Sequence, residues 1–273
     1  GVDIADINND ALLDIFVVDM VAEDNYRLKS NMSGMNPKRF WEVVEDSGSY
    51  QYMYNALQLN NGNSTFSNVA QFSGMAATDW SWSNLIADFD NDGLQDIYFT
   101  GNLVGDKIYK NTGGLEFLDL TTSSGIEDDG SWSSGVSIAD VNNDGFVDIY
   151  ISKELYDDNP ELRRNKLYIN NGDFTFEESS KKWGVDVSAR TRHAVFFDYN
   201  NDGLLDLYLL NQPPNPGNYS KFFGSDLTLP EYSLQLFKNT GNNSFIDVTK
   251  KAGLNRTGFP NSVVASDFNN DGY

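Results

Sequence analysis

Carboxylates recur at a fixed spacing in residues 88–96. Positions one, three, five and nine are Asp88, Asp90, Asp92 and Asp96, and position six is Gly93. Oxygen donors on alternate residues, a glycine that permits a sharp turn and a later carboxylate are how a short loop surrounds a hard cation. The main-chain carbonyl of position seven, Leu94, would add one more oxygen. The stretch therefore predicts a cation-binding loop.

The same frame returns elsewhere in the chain, which indicates a repeat protein. The further candidate ligands are Asp6, Asn8, Asp10, Leu12 and Asp14; Asp140, Asn142, Asp144, Phe146 and Asp148; Asp198, Asn200, Asp202, Leu204 and Asp206; and Asp267, Asn269 and Asp271. The first copy has Ala11 where the others have glycine, and alanine resists a left-handed turn. The last copy ends before a ninth position.

Calcium is the cation we expect, with one ion in each loop, because a cage of several carboxylates and a carbonyl suits a larger ion than magnesium. The alternative is a set of solvated turns. Two carboxylates about 5 Å apart repel by roughly 3 kcal/mol at an effective dielectric of about 20, and by under ~1 kcal/mol in water. Asp96, Asp148 and Asp206 adjoin apolar runs, which makes it hard for them to turn into solvent.

Short apolar runs flank each loop, such as 85–87 and 97–99, and they are too short for helices. Between the loops, Gly62, Gly113, Gly172 and Gly241 each precede a phenylalanine by four residues: Phe66, Phe117, Phe176 and Phe245. Asn-Gly and Thr-Gly after short alternating runs are typical of hairpin turns. Each repeat is therefore strand, loop, strand, connector, strand, hairpin and strand, which is the size and content of one β-propeller blade.

The predicted fold class is all-β, a propeller of four-stranded antiparallel blades. Repeat units are expected at about 1–78, 79–130, 131–188, 189–258 and 259–273, the last one partial, within one domain. The connector after each loop varies in length, so residues 20–50 and 210–232 are predicted insertions on one rim. Residues 39–44 could form a short helix. Rim loops on a rigid scaffold often carry binding function, and the aromatic residues Phe40, Trp41, Tyr50, Tyr52 and Tyr54 are candidates for a contact surface.

Composition excludes several classes of function. The 273 residues carry a formal charge of −21, which argues against a nucleic-acid partner. No apolar run approaches the ~20 residues of a membrane span. The chain has no cysteine and one histidine, His193, so a His-based triad or a multi-histidine zinc site is excluded, and His193 is expected to be an ordinary strand residue. Trp80, Trp82 and Trp132 are expected to pack between blades, with a sugar-stacking face as the alternative.

The loop unit, with its flanking strands and the Asn-x-Gly-x-x-x-Phe hairpin, resembles the FG-GAP/VCBS repeat of integrin α-subunit propellers and bacterial secreted proteins. Residues 17–27 and 77–83 are similar to those of bacterial VCBS-repeat surface proteins of the ASPIC/UnbV type. The resemblance implies a propeller, commonly seven-bladed, with calcium in the loops between the first two strands of each blade. This chain has about four blades and a partial one, so we expect a fragment of a longer protein.

These observations favour a calcium-stabilised, non-catalytic binding module of a secreted or cell-surface protein, with a protein or a glycan as partner. Modules that bind calcium weakly work where calcium is millimolar, which is outside the cell. Two alternatives stay open. One is a carbohydrate-active lyase or hydrolase, or its accessory domain, because paired carboxylates can hydrolyse glycosides. The other is a purely architectural segment of a surface adhesin.

Overall fold

Short strands make up most of this chain. The computed structural model describes residues 1–31, 36–48, 50, 53–102, 104–126, 129–213 and 232–268. The strands are β1 (Val2–Ala5), β2 (Asp14–Val17), β3 (Met20–Val21), β4 (Ala56–Asn60), β5 (Phe66–Asn68), β6 (Asp79–Ala87), β7 (Asp96–Gly101), β8 (Lys107–Asn111), β9 (Phe117–Asp119), β10 (Trp132–Ala139), β11 (Asp148–Glu154), β12 (Lys166–Asn170), β13 (Phe176–Glu178), β14 (Arg190–Phe197), β15 (Asp206–Gln212), β16 (Gln235–Asn239) and β17 (Phe245–Asp247).

The described strands form four antiparallel sheets, and the prediction of an all-β fold with four-stranded blades is confirmed. Sheet one has the order β1-β2-β4-β5, sheet two β3-β6-β7-β8-β9, sheet three β10-β11-β12-β13 and sheet four β14-β15-β16-β17. The fourth strands β5, β9, β13 and β17 each begin at the phenylalanine that the hairpin pattern picked out. Up-and-down order of this kind is that of propeller blades.

Sheet two has a fifth strand that the repeat pattern did not predict. Strand β3 lies in the connector of the first repeat but pairs with β6, with Met20 opposite Trp80. The Arg27 guanidinium strengthens this crossing, because it pairs with the carboxylate of Asp79 through both of its terminal nitrogens. The first insertion is therefore fastened to the neighbouring blade.

Helices are short and lie in the connections. They are α1 (Asn25–Asn31), α2 (Pro37–Ser47), α3 (Thr121–Ser124) and α4 (Ser180–Trp183), with a 3-10 helix at Pro160–Arg163. The predicted helix at 39–44 is present and longer, because Asn36 caps its start, accepting a hydrogen bond from the amide of Arg39, and Gly48 ends it in the left-handed conformation. Within the described ranges, no helix has both the length and the hydrophobicity needed to span a bilayer.

Three hydrophobic cores lie between successive sheets. Phe16 and Phe99 meet between sheets one and two, Tyr98 and Ile149 between sheets two and three, and Tyr150 with Leu207 between sheets three and four. Each core therefore takes side chains from two blades, so a blade buries its faces only when its neighbours are in place.

A buried amide or carboxyl group joins each pair of sheets at the end opposite the Asp loops. It precedes the third strand of one blade and bonds to a hydroxyl at the start of the next blade. The pairs are Asn55 with Thr78 at 2.7 Å, Asp106 with Ser133 at 2.9 Å and Asn165 with Thr191 at 2.8 Å. The joint thus recurs at all three interfaces, and only the middle one carries a charge.

Lys153 compensates that charge. Its Nζ donates to the Ser133 hydroxyl at 3.0 Å and lies 3.9 Å from Asp106 and 3.8 Å from Asp129. Tyr98 also donates its hydroxyl to Asp106, at 2.8 Å. Lys153 and Asp106 are 3% and 6% exposed, so this is a buried ion pair with hydrogen-bonded partners.

Candidate metal centre

The Asp loop in each sheet connects the first strand to the second, and its first carboxylate closes the turn. In the loop 88–96, Asp88 accepts hydrogen bonds from the amides of Asp92 at 3.0 Å and Gly93 at 2.8 Å. Both carboxylate oxygens of the residue at position one are bound in the same way in the other three loops, which begin at Asp6, Asp140 and Asp198. The loops therefore share one backbone conformation.

The ninth carboxylate joins each loop to the hairpin of its own sheet. Asp96 accepts from the amide of Phe89 at 3.0 Å and from the amide of Asn111 at 2.8 Å. Asp14, Asp148 and Asp206 make the equivalent pair of bonds, with the hairpin amides of Asn60, Asn170 and Asn239. These aspartates are buried because they bridge two segments of main chain.

Carboxylate oxygens converge in the loop 88–96. Oxygens of Asp88, Asp90 and Asp96 lie within 4.8 Å of one another, a separation that a single cation could bridge. Among the residues that the structure describes, no other group of three acidic side chains has that spacing. The other three loops have asparagine at position three, and the amide of that asparagine donates to the fifth residue in each: Asn8 to Asp10, Asn142 to Asp144 and Asn200 to Asp202.

Two buried oxygens support the fit of a cation. Oδ1 of Asp90 and Oδ1 of Asn200, each at position three of its loop, are buried without a hydrogen-bond partner. A buried oxygen without a donor is costly, and a metal ion satisfies it as well as a hydrogen bond does. The all-oxygen donor set suits calcium or magnesium and does not suit a thiophilic metal. The loop residues therefore fit a hard divalent ion.

Burial also shifts the pKa of the ninth carboxylates. Burial, with a smaller contribution from neighbouring loop carboxylates, raises the pKa of Asp96 to about 7 and that of Asp148 to about 7. The pKa values of Asp14 and Asp206 are raised for the same reason. A nearby cation favours the charged form of a carboxylate, so a bound ion would lower the pKa values that burial raises.

Lysines that lie outside the loop motif contact carboxylates of two of the loops. Lys110 Nζ contacts the Asp90 carboxylate and lies 2.8 Å from Asp92 Oδ2, and Lys238 Nζ lies 2.8 Å from Asp202 Oδ2. The hydrogen bond from Lys110 lowers the pKa of Asp92, and that from Lys238 lowers the pKa of Asp202. The signal was present in the sequence, since both lysines directly precede the hairpin asparagine.

The asparagine at position four was also missed, although it recurs in every loop. Asn9 donates its side-chain amide to the carbonyl of Gly93 at 2.7 Å, and Asn91 donates to the carbonyl of Gly145 at 2.9 Å. Both asparagines have positive φ, 58° and 57°, a conformation in which asparagine is over-represented. The loops 6–14 and 88–96 therefore each contact the corresponding loop of the next blade.

The remaining loop predictions have mixed outcomes. Ala11 does adopt the left-handed conformation, with φ of 67°, and its amide bonds to Asp6 as glycine does elsewhere. The first loop therefore closes despite the alanine. Asp267 is exposed, and Asn269 and Asp271 lie outside the described residues. Of the second insertion, 214–231 also lies outside them.

Aromatic residues at the opposite end of the blades differ in exposure. Trp82 on β6 and Trp132 on β10 lie with ring centroids 6.2 Å apart, so they meet between blades as expected, but Trp82 remains 45% exposed. Trp41 on α2 is also exposed. Tyr54 packs against the core between sheets one and two, which removes it from the candidate contact surface, and Tyr52 lies outside the described residues.

His193 is a strand residue of β14, opposite Leu210. Burial lowers its pKa, and its Nδ1 is buried without a hydrogen-bond partner. Among the described residues, no carboxylate forms a hydrogen bond with the ring. His193 therefore lies in a strand, as the sequence predicted.

Comparison with known proteins decides the family. A profile described as FG-GAP-like repeat matches residues 43–99, 88–151 and 156–209, which together cover more than half of the chain. The chain belongs to the FG-GAP-like repeat family. The FG-GAP matches contain the Asp loops 88–96, 140–148 and 198–206, and the loop 6–14 precedes the first match.

Two individual proteins are similar to this FG-GAP chain. Cartilage acidic protein 1 of Xenopus tropicalis is 27% identical over 158 residues, which are 57% of this chain and 23% of that protein. The match therefore spans less than a quarter of the length of the relative. A solved lectin of Agrocybe aegerita, described as recognising non-reducing terminal N-acetylglucosamine, aligns over 90% of this chain and 64% of its own, with 17% identity and a TM-score of 0.39.

Proposed function

We propose that this chain is a calcium-binding β-propeller module that binds a protein or glycan partner outside the cell and catalyses no reaction. The observation that carries the calcium assignment is one loop geometry repeated in four sheets, with three carboxylates converging within 4.8 Å in one of them. The side chains at positions one, three, five and nine and the carbonyl at position seven would hold each ion. The fifth loop, 267–271, is included in the proposal by its sequence.

The ions would act on structure rather than on a substrate. Each loop joins the first two strands of a blade, and its ninth carboxylate also bonds the hairpin between the last two. An ion held there would fix both connections at one end of the sheet. It would also relieve repulsion among carboxylates, which is strongest in the loop with four of them. Calcium is favoured because the cage offers more oxygen ligands than magnesium uses from protein side chains.

The partner surface we propose lies at the other end of the blades. The Asp loops and the hairpins occupy one end of the blades, so the connections from the second strand to the third lie at the opposite end. In sheet one this connection carries α1 and α2, with Tyr26 at 82% and Trp41 at 54% exposure. Trp82 lies at the same end of β6. Exposed aromatic side chains on connections between rigid strands are frequent contact residues for proteins and sugars.

The location that we propose for the module follows from the calcium sites. Weak calcium sites are useful where calcium is millimolar, so we propose a secreted or cell-surface location. We further propose a bacterial protein of the ASPIC/UnbV type, on residues 17–27 and 77–83 alone. The repeat units about 1–78, 79–130, 131–188, 189–258 and 259–273 would be part of one propeller, commonly seven-bladed in this family.

Thermal unfolding tests the calcium assignment. We expect the melting temperature to be higher in 2 mM calcium than in EDTA, with a smaller rise in magnesium. One site saturated at about 100 times its dissociation constant adds roughly 2.7 kcal/mol, so several sites should raise the midpoint by about 10 °C or more. Equal midpoints in EDTA and calcium would mean that the loops are solvated turns.

A matched pair of variants assigns the ions to the loops. Asp144→Asn removes one ligand charge and keeps an oxygen for the amide of Phe146, so calorimetric titration should show one calcium site weakened or lost. Asp173→Asn removes the same charge from the exposed hairpin of the same sheet, where Oδ1 accepts from the amide of Thr175. This control should leave the number of sites unchanged. An equal effect of both variants would indicate binding by overall charge alone.

A further inference from the structure

Two of the four described loops contain an ammonium group of their own. Lys110 lies between two carboxylates of the loop 88–96, in contact with Asp90 and 2.8 Å from Asp92. Lys238 lies 2.8 Å from Asp202 in the loop 198–206. Both lysines belong to the third strand of their sheet, β8 and β16, at the residue before the hairpin asparagine.

The other two sheets have an aliphatic residue at that position. Leu59 precedes Asn60, and Ile169 precedes Asn170. The alignment is structural, because the hairpin asparagine in all four sheets donates its amide to the ninth carboxylate of the loop: Asn60, Asn111, Asn170 and Asn239. Within the described part of the chain, the loops 6–14 and 140–148 therefore have no such lysine.

Packing fixes Lys110 in its place. Its Nζ lies 5.5 Å from the centroid of the Phe174 ring, which belongs to the hairpin of the next blade. A cation over an aromatic face is attracted by the ring. The Lys110 side chain is held from both sides, by the loop carboxylates and by the neighbouring blade.

Charge differs among the loops as a result. The loop 88–96 has four carboxylates and one ammonium, and the loop 198–206 has three carboxylates and one ammonium. The loops 6–14 and 140–148 have three carboxylates each. Lys110 thus offsets the additional carboxylate of its loop, Asp90, whereas Lys238 makes the loop 198–206 the least negative of the four.

We infer that Lys110 and Lys238 are internal counterions that hold their loops together without a divalent ion and must be displaced when one binds. The inference rests on the proposed calcium sites. The two loops with a lysine retain their shape when calcium is removed, and the two without one depend on the ion. The loop 198–206 binds calcium most weakly, because its ammonium opposes only three carboxylates.

Exchange of the residues between the two kinds of loop tests this inference. Lys110→Met and Lys238→Met should each lower the melting temperature in EDTA and tighten one calcium site by about tenfold, because a competing positive charge a few ångström away is removed. The reciprocal Ile169→Lys should weaken one calcium site; its melting temperature is not compared, because Ile169 also packs against the core between sheets three and four. Lys182→Met, at an exposed position on α4, is the control and should change neither.

The two measurements separate this inference from the proposed function. If Lys110→Met and Lys238→Met leave both the EDTA midpoint and the calcium titration unchanged, the lysines are not counterions and the inference is overturned. A decrease in calcium affinity in these variants would overturn it as well. If the unmodified chain takes up no calcium, the proposed function fails, and the EDTA midpoints still decide whether the lysines stabilise the loops.

Discussion

Lys153→Met is expected to destabilise the joint between sheets two and three because it leaves a buried carboxylate without its counterion. Asp106 would keep three hydrogen bonds, from the Gly101 amide and from the hydroxyls of Tyr98 and Ser133. It would lose the ammonium 3.9 Å away. Removing one partner of a buried ion pair costs about 3–5 kcal/mol, and the three remaining donors place this case near 3 kcal/mol.

The double variant Asp106→Asn/Lys153→Met should lose much less unfolding free energy than the two single variants lose together. An asparagine already serves at the other two joints, where Asn55 and Asn165 accept from a backbone amide and donate to a threonine hydroxyl. Asp106→Asn alone should cost about 1–2 kcal/mol, since Asp129 still lies near the ammonium. We expect the double variant to lose about 1–2 kcal/mol, which implies a coupling of roughly 3 kcal/mol.

Urea-induced unfolding followed by tryptophan fluorescence measures these free energies, at pH 7 and a fixed calcium concentration. Lys166→Met is the matched control, because it removes a partly exposed ammonium that lies 3.7 Å from Asp129. It should cost no more than about 1 kcal/mol. If the losses of the two single variants simply add in the double variant, Lys153 and Asp106 are not coupled and the reasoning is refuted.

Three further outcomes are expected. Ala11→Gly should stabilise the chain by about 0.5–1 kcal/mol, seen in urea unfolding, because alanine is strained at φ of 67°; a loss of stability would contradict this. In EDTA the melting temperature should fall as pH rises from 5 to 8. The pKa values of Asp96 and Asp148 are raised to about 7 in the folded protein, so the stabilising protonation is lost through that range. Saturating calcium should remove the trend, and a melting temperature that rises with pH in EDTA would contradict the prediction. Asn91→Ala should weaken calcium binding in titrations by about two- to fivefold at the loop 140–148, since the amide that fixes the Gly145 carbonyl is gone; unchanged affinity would mean that the contact does not shape the site.

The constant spacing within the repeat made most strands of each blade predictable from the sequence. The constant interval from the hairpin glycine to phenylalanine located the starts of β5, β9, β13 and β17, because a turn residue and an apolar strand residue are local features. Strand β3 was not predictable. It has two residues and pairs with a strand of another repeat, so its existence depends on how the blades pack.

In the candidate site, too, local features were predictable and contacts between strands or blades were not. The loop aspartates were identified from spacing alone, because a single turn places them together. Lys110 and the joint residue Asp106 were not identified, because they meet their partners across strands and blades. Their signal was a repeated position relative to the hairpin, at which one repeat has a charge and another an aliphatic or amide side chain.

Asn9 donates to the carbonyl of Gly93 and Asn91 to that of Gly145, so each of these two loops bonds to the loop that follows it along the chain. In return, the side chain of Asn111 donates to the carbonyl of Ile7, and that of Asn170 to the carbonyl of Phe89. The loops 6–14, 88–96 and 140–148 are thus joined in series by two hydrogen bonds at each step, and the hairpin residue Asn239 extends the series with a single bond to the carbonyl of Val141. Occupancy of one loop would restrict the motion of the next, so that ions would be taken up and released in groups and the whole end would stiffen over a narrow range of calcium concentration.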